Sequence, residues 1–240
     1  MEQKYQVLME GCRQLGITLS EAQISQFQTY YDLLIEWNSF MNLTAITDFE
    51  EVMQKHFVDS LALVKGVTID QPYRLLDVGT GAGFPGIPLK IVFPELEIVL
   101  LDSLNKRVKF LNEVIERLEL SNISAVHGRA EDFARQPEYR EGFDLVVSRA
   151  VANLASLSEY CIPYTKIGGR FVSYKSGSVE QEIRESEKAI FLLGGVQKDV
   201  IHFYLPGSEI ERSLVIIEKE KTTPKKYPRK AGMPSKEPLK

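Results

Sequence analysis

The stretch Asp77-Val-Gly-Thr-Gly-Ala-Gly-Phe-Pro-Gly-Ile-Pro-Leu89 places glycines at 79, 81, 83 and 86. Glycines spaced this way, between an apolar run and a helical pattern, let the chain turn sharply and let a ligand approach the backbone. Two kinds of ligand use such a turn. Gly81–Gly86 fits the G-x-G-x-x-G turn of dinucleotide sites, and Asp77–Gly83 fits the turn that receives S-adenosylmethionine. Asp102 closes the next apolar run, twenty-one residues after Gly81, and suits the ribose hydroxyls of either.

Two features separate the readings. A diphosphate needs backbone N–H groups at the start of the following helix, where Pro85 and Pro88 supply none. A carboxylate such as Asp77, about 5 Å from a phosphate charge, would cost roughly 3 kcal/mol at an effective dielectric near 20. The same carboxylate attracts an ammonium and a sulfonium. The loop therefore reads as a site for S-adenosylmethionine, with an NAD(P)-dependent oxidoreductase as the rival.

The elements that must hold this loop are visible in the hydrophobic period. Ser20 and Gln23 form a capping box for an amphipathic helix to about Asn38, and Asp48 caps a second helix to about Gly66. From Arg74 onward, short apolar runs (RLLDVG, EIVLLD, ISAVHG, FDLVVS, RFVSYK) are interleaved with helical patterns such as 104–118. Such alternation argues for a parallel sheet covered on both faces. VQKDVIHFYLP and ERSLVIIEKE, joined by PGSE with no helix between them, predict an antiparallel hairpin. The expected fold is α/β, a Rossmann-like, mostly parallel sheet with an antiparallel C-terminal hairpin, as in class I S-adenosylmethionine-dependent methyltransferases. The expected organisation is a helical segment over 1–66, the sheet domain over 67–220 and a tail over 221–240.

Composition narrows the setting. A chain of 240 residues with 44% hydrophobic content can bury one sizeable core. No apolar run approaches the ~20 residues of a membrane span, and the N-terminus lacks a basic start followed by an apolar core. The two cysteines, Cys12 and Cys161, have no metal-type spacing. A cytoplasmic monomer with no metal is the expectation. The last twenty residues carry +6, leaving −10 on the other 220. That asymmetry points to a polyanion partner or to a solvated tail.

The segments WNSFMNLTAI, HFVDSL, LDVGTGAGFPGIPL, DSLNKRVKFL, GRAED, VVSRAVA and KYPRKAGMPSKEPL occur in that order. Together they resemble the bacterial small-subunit ribosomal RNA guanine-N7 methyltransferases, the RsmG/GidB family. The resemblance implies methyl transfer from S-adenosylmethionine to a guanine N7 in the 530 loop of 16S rRNA, with 16S rRNA or the 30S subunit as partner. It also implies cofactor contacts from Gly79 and Phe84, alongside the Gly81 and Asp102 read from the spacing, an adenine flanked by Ala130 and Glu131, and Arg149 beside the methionine end or the methyl-transfer site.

Guanine N7 carries an in-plane lone pair in the major groove, so its methylation needs alignment rather than proton removal. No catalytic residue is assigned. Cys161, in YCIPY, reads as core rather than as a nucleophile, and SRAVAN replaces the Asn/Asp-Pro-Pro-aromatic motif of many exocyclic-amine methyltransferases. Lys225, Lys226, Arg229 and Lys230, with Tyr227 among them, are the expected RNA contacts. Lys106, Arg107 and Lys109 form a second basic cluster. His56 and Asp59, three apart on a helix, and Asn42 are weaker candidates for holding the base. A ribosome-binding assembly factor that keeps the fold without the activity is a further rival.

Overall fold

The computed structural model describes residues 2–239. α1 (Gln6–Gln14) and α2 (Glu21–Met41) open the chain. The Ser20 hydroxyl accepts the Gln23 amide, and the Gln23 side chain accepts the Ser20 amide, so the expected capping box forms. Asn42 ends α2 in a left-handed conformation, φ 52°; its backbone turns the chain. Asp48 caps α3 (Phe49–Val52), which runs through a π-helical turn, Met53–Val58, into α4 (Asp59–Leu61).

The sheet follows: β1 (Arg74–Val78), α5 (Gly86–Val92), β2 (Glu97–Asp102), α6 (Asn105–Arg117), β3 (Ile123–His127), α7 (Ala130–Phe133), β4 (Phe143–Arg149), α8 (Leu154–Cys161), β5 (Thr165–Ser176), α9 (Glu180–Leu192), β6 (Gly195–Tyr204) and β7 (Glu211–Lys219). A short α10 (Met233–Lys236) lies near the end. Strand order is β3-β2-β1-β4-β5-β7-β6. The hairpin strand β7 inserts between β5 and β6 and runs antiparallel to both.

Both sheet faces are covered, which is why the strands read as continuous apolar runs. The period of two divides them cleanly. Leu75, Leu100, Val147 and Ile216 enter one core with α2, α5 and α6; Leu76, Leu101, Val146 and Ile217 enter the other with α8 and α9. The helical N-terminal segment belongs to the first core through Phe27, Tyr30, Leu34 and Phe57, all fully buried. Residues 220–239 are also packed. Tyr227 and Pro234 are buried, and the Arg140 guanidinium donates to the carbonyls of Thr223 and Tyr227.

Candidate active site

The glycine turn leaves β1 with Gly79 at φ +70° and Gly81 at φ +63°. Both conformations suit glycine. A Cβ at Gly79 would meet the Val151 side chain at 2.6 Å, and one at Gly81 would point into open space. Gly86 serves another purpose: a Cβ there would lie 2.3 Å from Leu100 Cδ2, so its absence lets α5 sit against β2.

Nearly every amide of this loop is already committed. Gly79 and Thr80 N–H donate to the Leu101 carbonyl, and Gly83 and Phe84 N–H to the Thr80 carbonyl. Gly81 N–H donates to Asp102 Oδ2 (3.0 Å), and Gly86 N–H to Asp77 Oδ2 (2.9 Å). Asp77 does not reach a ligand space as the sequence argument placed it. It is fully buried under the turn, where Oδ2 also accepts the Thr80 hydroxyl (2.7 Å) and Oδ1 has no partner among the described residues. Burial pushes its carboxyl up to about 6, against the lowering effect of the Thr80 and Gly86 hydrogen bonds. Its role is to shape the loop from below. Tyr30, on α2, shapes it from the side, its hydroxyl donating to the Ala82 carbonyl (2.5 Å).

Of the cavities at the C-terminal ends of the strands, where an open α/β sheet receives ligands, two flank the end of β4. The smaller, about 190 Å³, is lined by Gly79, Ser103, Gly128, Ala130, Glu131 and Gly232, among others. Asp102 ends β2 beside it, only 2% exposed, with Oδ1 accepting Leu104 N–H (2.8 Å) and Oδ2 facing Arg107 at 3.3 Å. Arg107 is thereby tied to the smaller cavity's side, while Lys106 donates to the Met41 carbonyl (3.3 Å).

The larger cavity, about 510 Å³, is lined by His56, Asp59, Arg149, Lys175, Glu182 and Arg212, with Lys55 at its edge. Asp59 bridges two arginines: Oδ2 accepts Arg149 Nη1 and Oδ1 accepts Arg212 Nε, both at 2.9 Å. With four cations against two carboxylates among these residues, the cavity carries a net positive charge. His56 contacts the Thr44 hydroxyl (2.8 Å) and stacks on Phe84 at 4.6 Å. Burial and the Arg149 charge hold its imidazole down to about 3, so it is neutral at physiological pH.

The two cavities meet at the end of β4, where Arg149 and Ala150 border the larger and Val151 the smaller. Ala150 sits at φ +57°, a backbone state a non-glycine residue adopts at some cost and one found often at functional sites.

The structure brings Gly79, Ala130 and Glu131 together around the smaller cavity, with Gly81 and Asp102 beside it. It sets Phe84 away from the smaller cavity and Arg149 at the junction of the two. Phe84 is 6% exposed within an aromatic cluster of Tyr30, His56 and Phe57, with the Arg149 guanidinium 5.1 Å from its ring. Arg149 lies in the larger cavity, and Phe84 positions it rather than lining the smaller one. Among the tail residues, Lys225, Lys226 and Lys230 are exposed. Arg229 is not available to RNA, because its guanidinium forks onto the buried Glu159 carboxylate at 2.7 and 3.0 Å. Arg212, Lys175 and Glu182 were missed by sequence reading. Arg212 carries no motif, and only the insertion of β7 beside β5 brings it to Asp59 across 153 residues.

The sheet order, the glycine turn and the strand-end cavities together define the class: an S-adenosylmethionine-dependent methyltransferase of the class I fold. Solved structures agree on the fold. A SAM-dependent methyltransferase from Aquifex aeolicus superposes with a TM-score of 0.51 at 16% identity, over 70% of this chain and 92% of that one. TrmN from Thermus thermophilus gives 0.52 at 16% identity, over 68% and 48%. Residues 23–215 match the family model GidB, rRNA small subunit methyltransferase G, and the chain belongs to that family. It is 60% identical to the ribosomal RNA small subunit methyltransferase G of Lachnoclostridium phytofermentans over 96% of both chains. It is 51% identical to that of Alkaliphilus metalliredigens over the whole of both.

Proposed function

We propose that this chain transfers the methyl group of S-adenosylmethionine to N7 of a guanine in the 530 loop of 16S rRNA, within the 30S subunit or its RNA. The observation that carries the reading is the junction of two unlike cavities at Arg149–Val151. One suits a nucleoside, and the other is positive and large enough for a base with its phosphate.

The residues present fit the cofactor. Gly81 leaves open space over the turn. Asp102 keeps one unused lone pair, on Oδ1, for a ribose hydroxyl, and Glu131 retains one carboxylate oxygen with no hydrogen bond among the described residues. At about 190 Å³ the smaller cavity is below the ~300 Å³ at the low end of ligand pockets, so the methionine end extends toward Arg149. When bound, the cofactor supplies an electrophilic methyl group on a cationic sulfur.

The chain's own part is positioning. Arg149, Arg212 and Lys175 offer donors to O6 or a phosphate of the target nucleotide, leaving N7 free to attack. His56, neutral and buried, supplies no proton at physiological pH, and Asp59 is committed to its two arginines. Alignment alone can contribute on the order of 7–11 kcal/mol to such a displacement. Lys225, Lys226 and Lys230 on the outer face of the tail approach RNA phosphates.

Incubating the protein with 30S subunits from a strain lacking the gene, and mapping methylation base by base, tests the proposal. A single new 7-methylguanine in the 530 loop is expected. Modification at another base, or none with the intact cofactor present, would overturn it.

A further inference from the structure

The tail after β7 lies across the molecule as a strap. It is fixed at its start by Glu141, whose Oε1 accepts Thr223 N–H (2.7 Å) and faces the buried Lys219 ammonium at 3.2 Å. It is fixed again by the Arg229–Glu159 fork, and beyond that by the Ser156 hydroxyl, which donates to the Pro234 carbonyl (2.7 Å). Between the last two anchors, Gly232 N–H donates to Glu131 Oε1 at 2.7 Å. Gly232 and Ser235 complete the lining of the smaller cavity, opposite Gly128 and Ala130.

Glu131 is 4% exposed, so water contributes little to its orientation. The Gly232 amide is its one hydrogen-bond donor among the described residues. A charge-assisted bond of this length fixes a carboxylate strongly. It leaves Oε2 as the acceptor available to a ligand in the cavity. Gly232 stands at φ +83°, a backbone state that glycine adopts without strain; a Cβ there would meet nothing within 4 Å.

Resting on the cofactor reading above, we propose that the strap is a wall of the cofactor site and that Gly232 is a positioning residue, its amide holding Glu131 so that the free oxygen receives the adenine amino group. The C-terminal strap thus sets base recognition in the cofactor as well as carrying the exposed lysines.

The test is calorimetric titration of the full chain, and of a chain ending at Ala231, with S-adenosylhomocysteine and with its 6-oxo analogue S-inosylhomocysteine. The shortened chain keeps the Tyr227 and Arg229 anchors. The full chain is expected to prefer the adenosyl compound by tenfold or more, and the shortened chain by threefold or less. Equal weakening toward both ligands would assign the strap a merely structural role and overturn the proposal; unchanged or tighter binding would overturn it too. Failure of the full chain to bind S-adenosylhomocysteine would instead overturn the cofactor reading itself. If the shortened chain does not fold, amide exchange in the intact protein decides. Residues 230–236 should exchange at least tenfold more slowly with saturating S-adenosylhomocysteine, and no slowing would overturn the proposal.

Discussion

Replacing Arg229 by Gln separates a strap anchor from an RNA contact. In the folded protein Glu159 is fully buried, and its two oxygens receive Arg229 Nε, Nη2 and backbone N–H at 2.7–3.1 Å. Removing one partner of a buried ion pair costs about 3–5 kcal/mol, because the remaining charge stays buried and unpaired. The Arg229 side chain is about a quarter exposed, and its backbone N–H would still reach Glu159, so about 3 kcal/mol is the expected loss. For a chain of this length each kcal/mol moves the midpoint by about 2–4 °C, which gives a fall of roughly 6–12 °C. Thermal unfolding of wild type, R229Q, E159Q and the double variant measures it. The double variant should recover most of the loss, since neither charge is then stranded. An R229Q midpoint within about 1 °C of wild type, with RNA binding weakened, would show that the guanidinium serves RNA and not the strap.

The exposed lysines should behave oppositely. A K225A/K226A/K230A variant should unfold within about 1 °C of wild type, while its log-log salt dependence of RNA binding flattens by about 2, near 0.7 per lost phosphate contact. An unchanged slope would remove these lysines from the interface. His56 sets a stability window in pH. Its imidazole protonates near 6.5 when unfolded and only near 3 when folded, so between those values the unfolded chain binds more protons. Stability should therefore fall as pH drops from about 6.5 toward 3, by at most about 5 kcal/mol. H56Q should flatten this stretch of a urea-denaturation series, and a curve parallel to wild type would refute the assignment. G86A should destabilise by about 1–3 kcal/mol, because its new methyl collides with Leu100 and lies 3.0 Å from Asp77 Oδ2. G81A, facing open space, should lose less, about 1 kcal/mol from its positive φ alone. Equal losses by chemical denaturation would contradict the packing role given to Gly86.

The parts of this protein legible in sequence are those governed by local periodicity. The Ser20–Gln23 box and the helix from Asn105 are written in neighbours three to four residues apart, and the strand at Arg74–Val78 in a short continuous apolar run. The hairpin was legible because nothing helical separates its strands. What was not legible depends on side chains meeting across the fold. Asp59 meets Arg149 and Arg212 only through the order of β4, β5 and β7. The tail reads as solvated from its lysines and prolines, yet Thr223, Tyr227, Pro228 and Pro234 are buried and its arginine is paired. Composition counts charges; it does not show which of them face a carboxylate.

The same distinction governs the choice of cofactor. Pro85 and Pro88 pointed away from a diphosphate because each removes one donor, but most of the other donors are absent for a different reason. The folded turn spends the Gly81 and Gly86 amides on Asp102 and Asp77, and the Gly79, Thr80, Gly83 and Phe84 amides on backbone carbonyls. A diphosphate would have to break those bonds and then sit above two buried carboxylates. A cationic sulfonium needs none of the amides. The two acids, by holding the Gly81 and Gly86 amides, keep the turn closed to anions.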